Sequence, residues 1–225
     1  QTMFANQNML DAAGVGVPTT FDELLSSGKK LKSGDVSGVA MRSKADGTAG
    51  SWPGGGFVFS NGGVIIQDGK CMLDSPEAIE AIHYYGTILK EAGPLGVGNY
   101  HWYECLNDYM QEVCAIGMDS SNFATDIENP EKSNAAGHTT YGAMVSGPGK
   151  TAKPNMWHWM SGINSKSQNK AAAFLFLTWA NSKPTCLMSS ALGLATTRTS
   201  AWESEGFKSA FGAQAATAAL TNLQN

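Results

Sequence analysis

Short apolar runs alternate with capped helical stretches along this chain, and that alternation limits its fold more than any single motif. Thr2-Met-Phe-Ala5 reads as a short strand, and residues 9–13 as a brief helix with Gly14 as its C′ stop. Thr20 and Glu23 have capping-box spacing, and Phe21, Leu24, Leu25 and Leu31 supply the apolar stripe of the helix that follows. Gly38-Val-Ala-Met41 is a buried-strand candidate. A glycine-rich passage, residues 47–63, carries Trp52, Phe57 and Phe59. Residues 64–66 and 71–73 flank Asp68-Gly-Lys70, a hairpin signal. Ser75-Pro-Glu77 is an N-cap, an N1 proline and a first-turn acid, opening a helix to Ala92 with Ala78, Ile82, Tyr85 and Leu89 on one face.

The same alternation continues to the end. A helix is expected over residues 102–111 and a strand over 113–118, ending at Asp119. A polar surface segment spans 126–138. Residues 141–145 and 157–163 read as strands, residues 169–180 as a strongly apolar helix with Trp179 in the core, and 184–192 and 201–211 as shorter helices. An Ala/Thr-rich tail follows. Interleaved strands and helices point to an α/β sheet fold.

Charge narrows the function classes. Only 15% of the 225 residues are charged, against roughly 25% in an average chain, which argues against disorder. Arg42 and Arg198 are the two arginines, and the formal net charge is −4. A nucleic-acid binder needs a basic face, which this composition does not supply. No apolar run approaches the roughly 18 residues of a membrane span. Cys71, Cys105, Cys114 and Cys186 lack zinc-site spacing; they are either disulfide partners or buried small hydrophobes.

Enzyme motifs are missing. Gly147-Pro-Gly-Lys-Thr151 ends like a P-loop, but Met144 stands where its first glycine belongs, and Pro148 and Pro154 disturb the loop. His83, His101, His138 and His158 form no i, i+4 pair, and no G-x-S-x-G elbow occurs. The aromatics are more informative. Trp52, Tyr100, Trp102, Trp157 and Trp159 lie beside Gly, Asn or His rather than inside aliphatic runs. A ring with a polar rim suits a ligand whose C–H groups stack and whose hydroxyls seek Asp, Asn and Arg, as sugars and polyols do.

Ten sequence blocks together resemble the extracellular solute-binding proteins of carbohydrate ABC transporters, the group that includes maltose-binding protein. They are Met9-Leu-Asp-Ala-Ala-Gly-Val-Gly-Val-Pro-Thr-Thr-Phe-Asp-Glu-Leu24, Gly38-Val-Ala-Met-Arg42, Ser60-Asn-Gly-Gly63, Leu73-Asp-Ser-Pro-Glu-Ala78 and Gly93-Pro-Leu-Gly-Val-Gly-Asn-Tyr100. Cys114-Ala-Ile-Gly-Met-Asp119, Asn155-Met-Trp-His-Trp159, Gly162-Ile-Asn-Ser165, Asn169-Lys-Ala-Ala-Ala173 and Thr197-Arg-Thr-Ser-Ala-Trp202 complete the set. The resemblance is nearest to the branch that takes small sugars, short oligosaccharides and polyols.

The resemblance implies a type II periplasmic-binding-protein-like α/β fold of two lobes closing on a ligand. It assigns residues 1–154 to the second lobe, 155–183 to a strand and helix of the first, and 184–225 to a return into the second. A first lobe of roughly 100–150 residues would then precede Thr2, and the 157–183 segment should expose apolar surface. Carried over block by block, the expected ligand-binding residues are Arg42, Trp52, Tyr100, Trp102, Asp119, Asn122, Trp157, Trp159 and Arg198. Trp157 and Trp159 would share one face of a strand. The alternative for Arg198 is a lobe–lobe or helix-C-terminus contact. The expected activity is binding without catalysis, with no metal or cofactor, by a monomer that delivers its ligand to a membrane permease. The location would be periplasmic or that of a cell-surface lipoprotein. The alternatives are a glycoside-active enzyme, which needs two carboxylates facing one bond, and a protein-interaction module using its tryptophans at an interface.

Overall fold

A computed structural model describes residues 1–224. Strand β1 (Thr2–Asn6) leads into helix α1 (Gln7–Ala13), whose N-cap is Asn6 and whose stop is Gly14 at φ +61°, left-handed backbone that glycine adopts without strain. Helix α2 (Phe21–Leu31) starts at the expected capping box: Thr20 Oγ1 accepts from the Glu23 N–H, and Glu23 Oε2 accepts from the Thr20 N–H. Strand β2 (Ser37–Ala40) follows. Helix α3 (Gly55–Ser60) comes next, and then the hairpin of β3 (Ile66–Gln67) and β4 (Lys70–Cys71), turned by Asp68 and Gly69 at positive φ.

Helix α4 (Pro76–Ala92) buries Ala78, Ala81, Tyr85, Ile88 and Leu89, while Ile82 lies outside that face. Helix α5 (Trp102–Met110), strand β5 (Cys114–Asp119), the short helix α6 (Ala124–Ile127) and strand β6 (Thr139–Gly142) complete the central unit. Helices α7 (Lys170–Ala180), α8 (Lys183–Ser190), α9 (Thr199–Trp202), α10 (Glu205–Phe211) and α11 (Ala213–Gln224) close the described chain.

The sheet has the order β2-β5-β1-β6, with β2 parallel to β5 and β1 antiparallel to both β5 and β6. Along β1, Met3 and Ala5 face one way, opposite Met118 and Ile116, and join Val39, Phe21, Leu24, Ala81 and Ile88 in a core beneath α2 and α4. Phe4 points the other way into a second core with Tyr109, Ile127, Phe207, Phe211 and Ala215. The sheet is therefore covered on both faces by helices. Each large side chain so buried stabilises the fold by about 1.5–3 kcal/mol before entropy is counted.

Two glycines permit the layers to close. A Cβ on Gly117 would lie 2.0 Å from the Phe4 ring, and one on Gly38 would lie 1.8 Å from the Gly28 carbonyl oxygen of α2.

Several expectations need correction. Residues 157–163 form no strand, since the whole stretch 151–164 lacks regular hydrogen bonding; an alternating pattern makes a strand only where a neighbour offers a ladder. Trp179 is not core: it is 57% exposed, and no residue of α7 is buried. The expected apolar exposure of 157–183 is present, with Phe174, Leu175, Phe176 and Trp179 each more than half exposed. The glycine-rich passage is helical over residues 50–60 despite the poor helix propensity of its glycines. The Ala/Thr-rich tail forms α11, whose alanines lie close against the second core. Cys105, Cys114 and Cys186 are buried, Cys71 is exposed, and none of the four is in a disulfide.

Candidate functional site

The sheet order brings the C-terminal ends of β2 and β5 and the N-terminal end of β1 to the same rim, because Ala40 pairs with Gly117 and Thr2 with Asp119. Ends of parallel strands are where open α/β sheets place their ligand crevices. Arg42 stands two residues beyond β2, and Asp119 is the last residue of β5.

These two side chains form a bidentate ion pair. Arg42 Nε donates to Asp119 Oδ2 and Nη2 donates to Oδ1, each at 2.6 Å. The Trp52 indole N–H donates to Oδ1 at 3.2 Å, and the Ser120 backbone N–H donates to the same oxygen at 2.6 Å. Asp119 is 1% exposed, while the Arg42 side chain keeps 14% of its surface. The Tyr85 hydroxyl, from α4, donates to the Arg42 carbonyl and fixes the backbone that carries the guanidinium. Burial lifts both the Tyr85 hydroxyl and the neighbouring Cys105 thiol well above their ordinary pKa ranges, so both stay neutral around the pair.

The glycines at 54–56 explain how Trp52 reaches this point. Its π-helical turn, Gly50–Gly54, runs into α3, and the Asn155 amide donates to the Ser51 and Trp52 carbonyls at 2.6 and 3.1 Å. A Cβ on Gly55 would meet that amide at 2.8 Å, and one on Gly56 would meet the Gln1 side chain at 1.9 Å. The glycines stand here for close approach. The Gln1 amino group donates to the Asn155 carbonyl at 3.1 Å, and burial lowers its pKa to about 6, against the opposing pull of Asp119.

From Asn155 the chain carries Trp157 onto the edge of Trp52, with ring centroids 5.9 Å apart and planes at 83°. Trp159 follows at 5.8 Å from Trp157. Trp52 is buried, whereas Trp157 and Trp159 are exposed and lead outward from the ion pair.

The remaining expected residues divide into two groups. Trp102, at the start of α5, packs 5.7 Å from Phe123 and is partly exposed; Asn122 lies in the same turn, exposed, next to Phe123. The Tyr100 hydroxyl is committed to Asp108 at 2.8 Å, and burial first, then that bond, pushes it up to about 12. Its carbonyl accepts from the Ser43 and Lys44 N–H groups, tying this segment to the loop after Arg42. Arg198 makes no contact with the ion pair. It is exposed, and its Nε donates to the Asn181 carbonyl at the C-terminal end of α7.

Arg42, Trp52, Asp119, Trp157 and Trp159 thus form one continuous set, flanked by Tyr100, Trp102 and Asn122. Sequence reasoning missed Tyr85 and Asn155, which touch this set through backbone carbonyls and therefore leave no side-chain pattern to read. Among the described residues, no group of three or more His, Cys, Asp and Glu side chains is arranged to hold a metal ion.

The model of the bacterial extracellular solute-binding proteins matches residues 1–185 of this chain. An erythritol/L-threitol-binding protein from Mycolicibacterium smegmatis is 27% identical over 49% of the chain, and the match covers 23% of that relative. A mannitol-binding protein from Pseudomonas aeruginosa is 30% identical over 46% of the chain and 24% of its own length. A solute-binding protein of an ABC transporter from Agrobacterium radiobacter K84, solved with ribitol, shares the fold over the entire chain at a TM-score of 0.89 and 24% identity. The chain spans 57% of that protein.

Proposed function

This chain belongs to the bacterial extracellular solute-binding proteins, and from that membership we propose that it is the larger part of an extracytoplasmic receptor for a small sugar, short oligosaccharide or polyol. The receptor delivers its ligand to the permease of an ABC transporter and acts as a monomer, by binding alone. The observation that carries the reading is the guanidinium of Arg42, partly open at the strand ends and sharing Asp119 with Trp52, from whose ring Trp157 and then Trp159 lead outward. A fixed N–H donor next to apolar planes matches a ligand with hydroxyl edges and C–H faces. The relatives named for erythritol/L-threitol and mannitol, and the neighbour solved with ribitol, are consistent with open-chain polyols.

Catalysis is not part of the reading. Asp119, the carboxylate at the centre, is buried and already accepts from Arg42, Trp52 and Ser120, whereas glycoside hydrolysis needs two carboxyl groups facing the scissile bond.

In this proposal residues 1–154 and 184–225 build the second lobe, and 155–183 belong to a first lobe that closes over the ligand. The absence of buried residues in α7 supports that division. The return of the chain supports it as well: the Asn222 side chain bonds Thr2 of β1 and the backbone of Met144 just past β6.

Calorimetry and tryptophan fluorescence with erythritol, mannitol, ribitol and small sugars test the reading on the chain and on the two-lobed receptor. If the receptor binds near a micromolar dissociation constant, about −8 kcal/mol, a chain with half the contacts should bind at about millimolar or weaker. Micromolar binding by the chain alone overturns the two-lobe account, and silence of the receptor toward every compound overturns the ligand class.

A further inference from the structure

The geometry points to Asp119 as the residue that selects for uncharged ligands: it cancels the charge of Arg42 and aims its outer edge, and is not itself a ligand-binding group. The inference rests on the reading of the chain as a sugar or polyol receptor. It differs from the expectation that Asp119 takes ligand hydroxyls.

An ionised carboxylate offers about four lone-pair positions. Here Oδ1 accepts from three donors, Arg42 Nη2, Trp52 Nε1 and Ser120 N, and Oδ2 accepts from Arg42 Nε, so the one lone pair left is on Oδ2. With 1% of its surface exposed, Asp119 has no face left for a ligand. Arg42 has spent the Nε–Nη2 edge, one of the two that grip carboxylates and phosphates in parallel. Its Nη1 group has no acceptor among the described residues and belongs to the partly exposed end of the side chain.

The surroundings do not restore a charge. Tyr85 and Cys105 remain neutral because burial raises their pKa values, and the Gln1 amino group, which also feels Asp119, is lowered by burial to about 6 and is mostly neutral above that pH. A site built this way offers directed donors from a pair with no net charge. A neutral hydroxyl oxygen accepts from such a donor at little desolvation cost, whereas a phosphate or carboxylate gives up its hydration and meets no uncompensated cation. Asp119 is accordingly a positioning and specificity residue acting through Arg42.

The test uses Asp119→Asn, which keeps the shape and one acceptor oxygen, with Arg42→Lys to identify the Arg42 signal. The chain contains two arginines, so its arginine Nε–H resonances reduce to two. In the unaltered chain, sulfate at tens of millimolar should leave the Arg42 resonance in place. In Asp119→Asn it should shift saturably. On the two-lobed receptor, mannitol should be preferred over gluconate, and Asp119→Asn should lower that preference by about tenfold or more, the scale of one charge-assisted hydrogen bond. Far-UV circular dichroism confirms that the variant is folded; should it not fold, Asp119→Glu, which retains the charge and displaces the oxygens, must keep the mannitol preference while moving the Arg42 resonance.

Sulfate binding to Arg42 in the unaltered chain overturns the inference, as does a folded Asp119→Asn that gains none. If neither mannitol nor any other polyol or sugar binds the receptor, the functional reading fails, and the sulfate titration still decides the role of Asp119.

Discussion

Replacing Phe176 by alanine should leave the stability of this chain almost unchanged, which is unusual for a phenylalanine in an apolar helix. Phe176 is 60% exposed, and its aromatic neighbour is Trp179, three residues on in the same helix, at 5.7 Å. Losing that i, i+3 pair costs about 0.2–0.5 kcal/mol, and the better helix propensity of alanine returns about 0.5 kcal/mol. The expected change is therefore within about 0.5 kcal/mol. Phe207 is the control: it is fully buried, stacked on Phe211 at 4.6 Å and close to Trp202 at 4.8 Å. Its replacement by alanine should cost about 3–5 kcal/mol. Urea unfolding followed by far-UV circular dichroism separates the two outcomes. Sedimentation velocity should show Phe176→Ala less prone to self-association, because Phe174, Leu175, Phe176 and Trp179 together form an apolar surface of the kind that marks an interface. A loss above about 2 kcal/mol for Phe176→Ala would place α7 in the core of this unit and refute the reasoning.

Gly117→Ala should destabilise by about 1–3 kcal/mol or more, since its Cβ would fall 2.0 Å from a Phe4 ring already held by Tyr109 at 4.7 Å. Gly86→Ala, in α4 with nothing within 4 Å of the added carbon, should instead stabilise by about 0.5–1 kcal/mol in the same unfolding assay. The 225-residue chain should also gain stability as pH rises from about 6 to 8. Its amino group is lowered to about 6 in the fold from an ordinary 8.0, so the unfolded chain binds the extra proton across that window. The gain should be about 2–3 kcal/mol, and N-terminal acetylation should flatten the profile; an unaltered profile after acetylation would assign the dependence to another group.

Local chemistry carried much of this fold, and it did so wherever a signal is contained within a few residues. The Thr20–Glu23 capping box, the Gly14 stop, the Ser75-Pro76 helix start and the Asp68-Gly69 turn all form as read, because caps and turns are satisfied by their own neighbours. Strands β1, β2 and β5 were legible from apolar runs, and so was the α/β class. The polar neighbours of Trp52, Trp157 and Trp159 suggested a hydroxylated ligand, whereas the roles expected of Arg42 and Asp119 came from the resemblance, and spacing alone does not bring the five together.

Tertiary structure decided the rest. The glycine-rich passage became helical because residues without a Cβ let Gln1 and Asn155 approach, outweighing a poor helix propensity. Residues 157–163 have strand-like alternation but no ladder to join. Trp179 has the sequence of a core residue and no core around it. Asp119 looked like an open acceptor until β2 and β5 set Arg42 against it, across 77 positions of chain. Periodicity and capping specify how a segment is shaped, but whether an apolar face or a carboxylate is free depends on what the folded chain places opposite it, and no short stretch of sequence holds both partners.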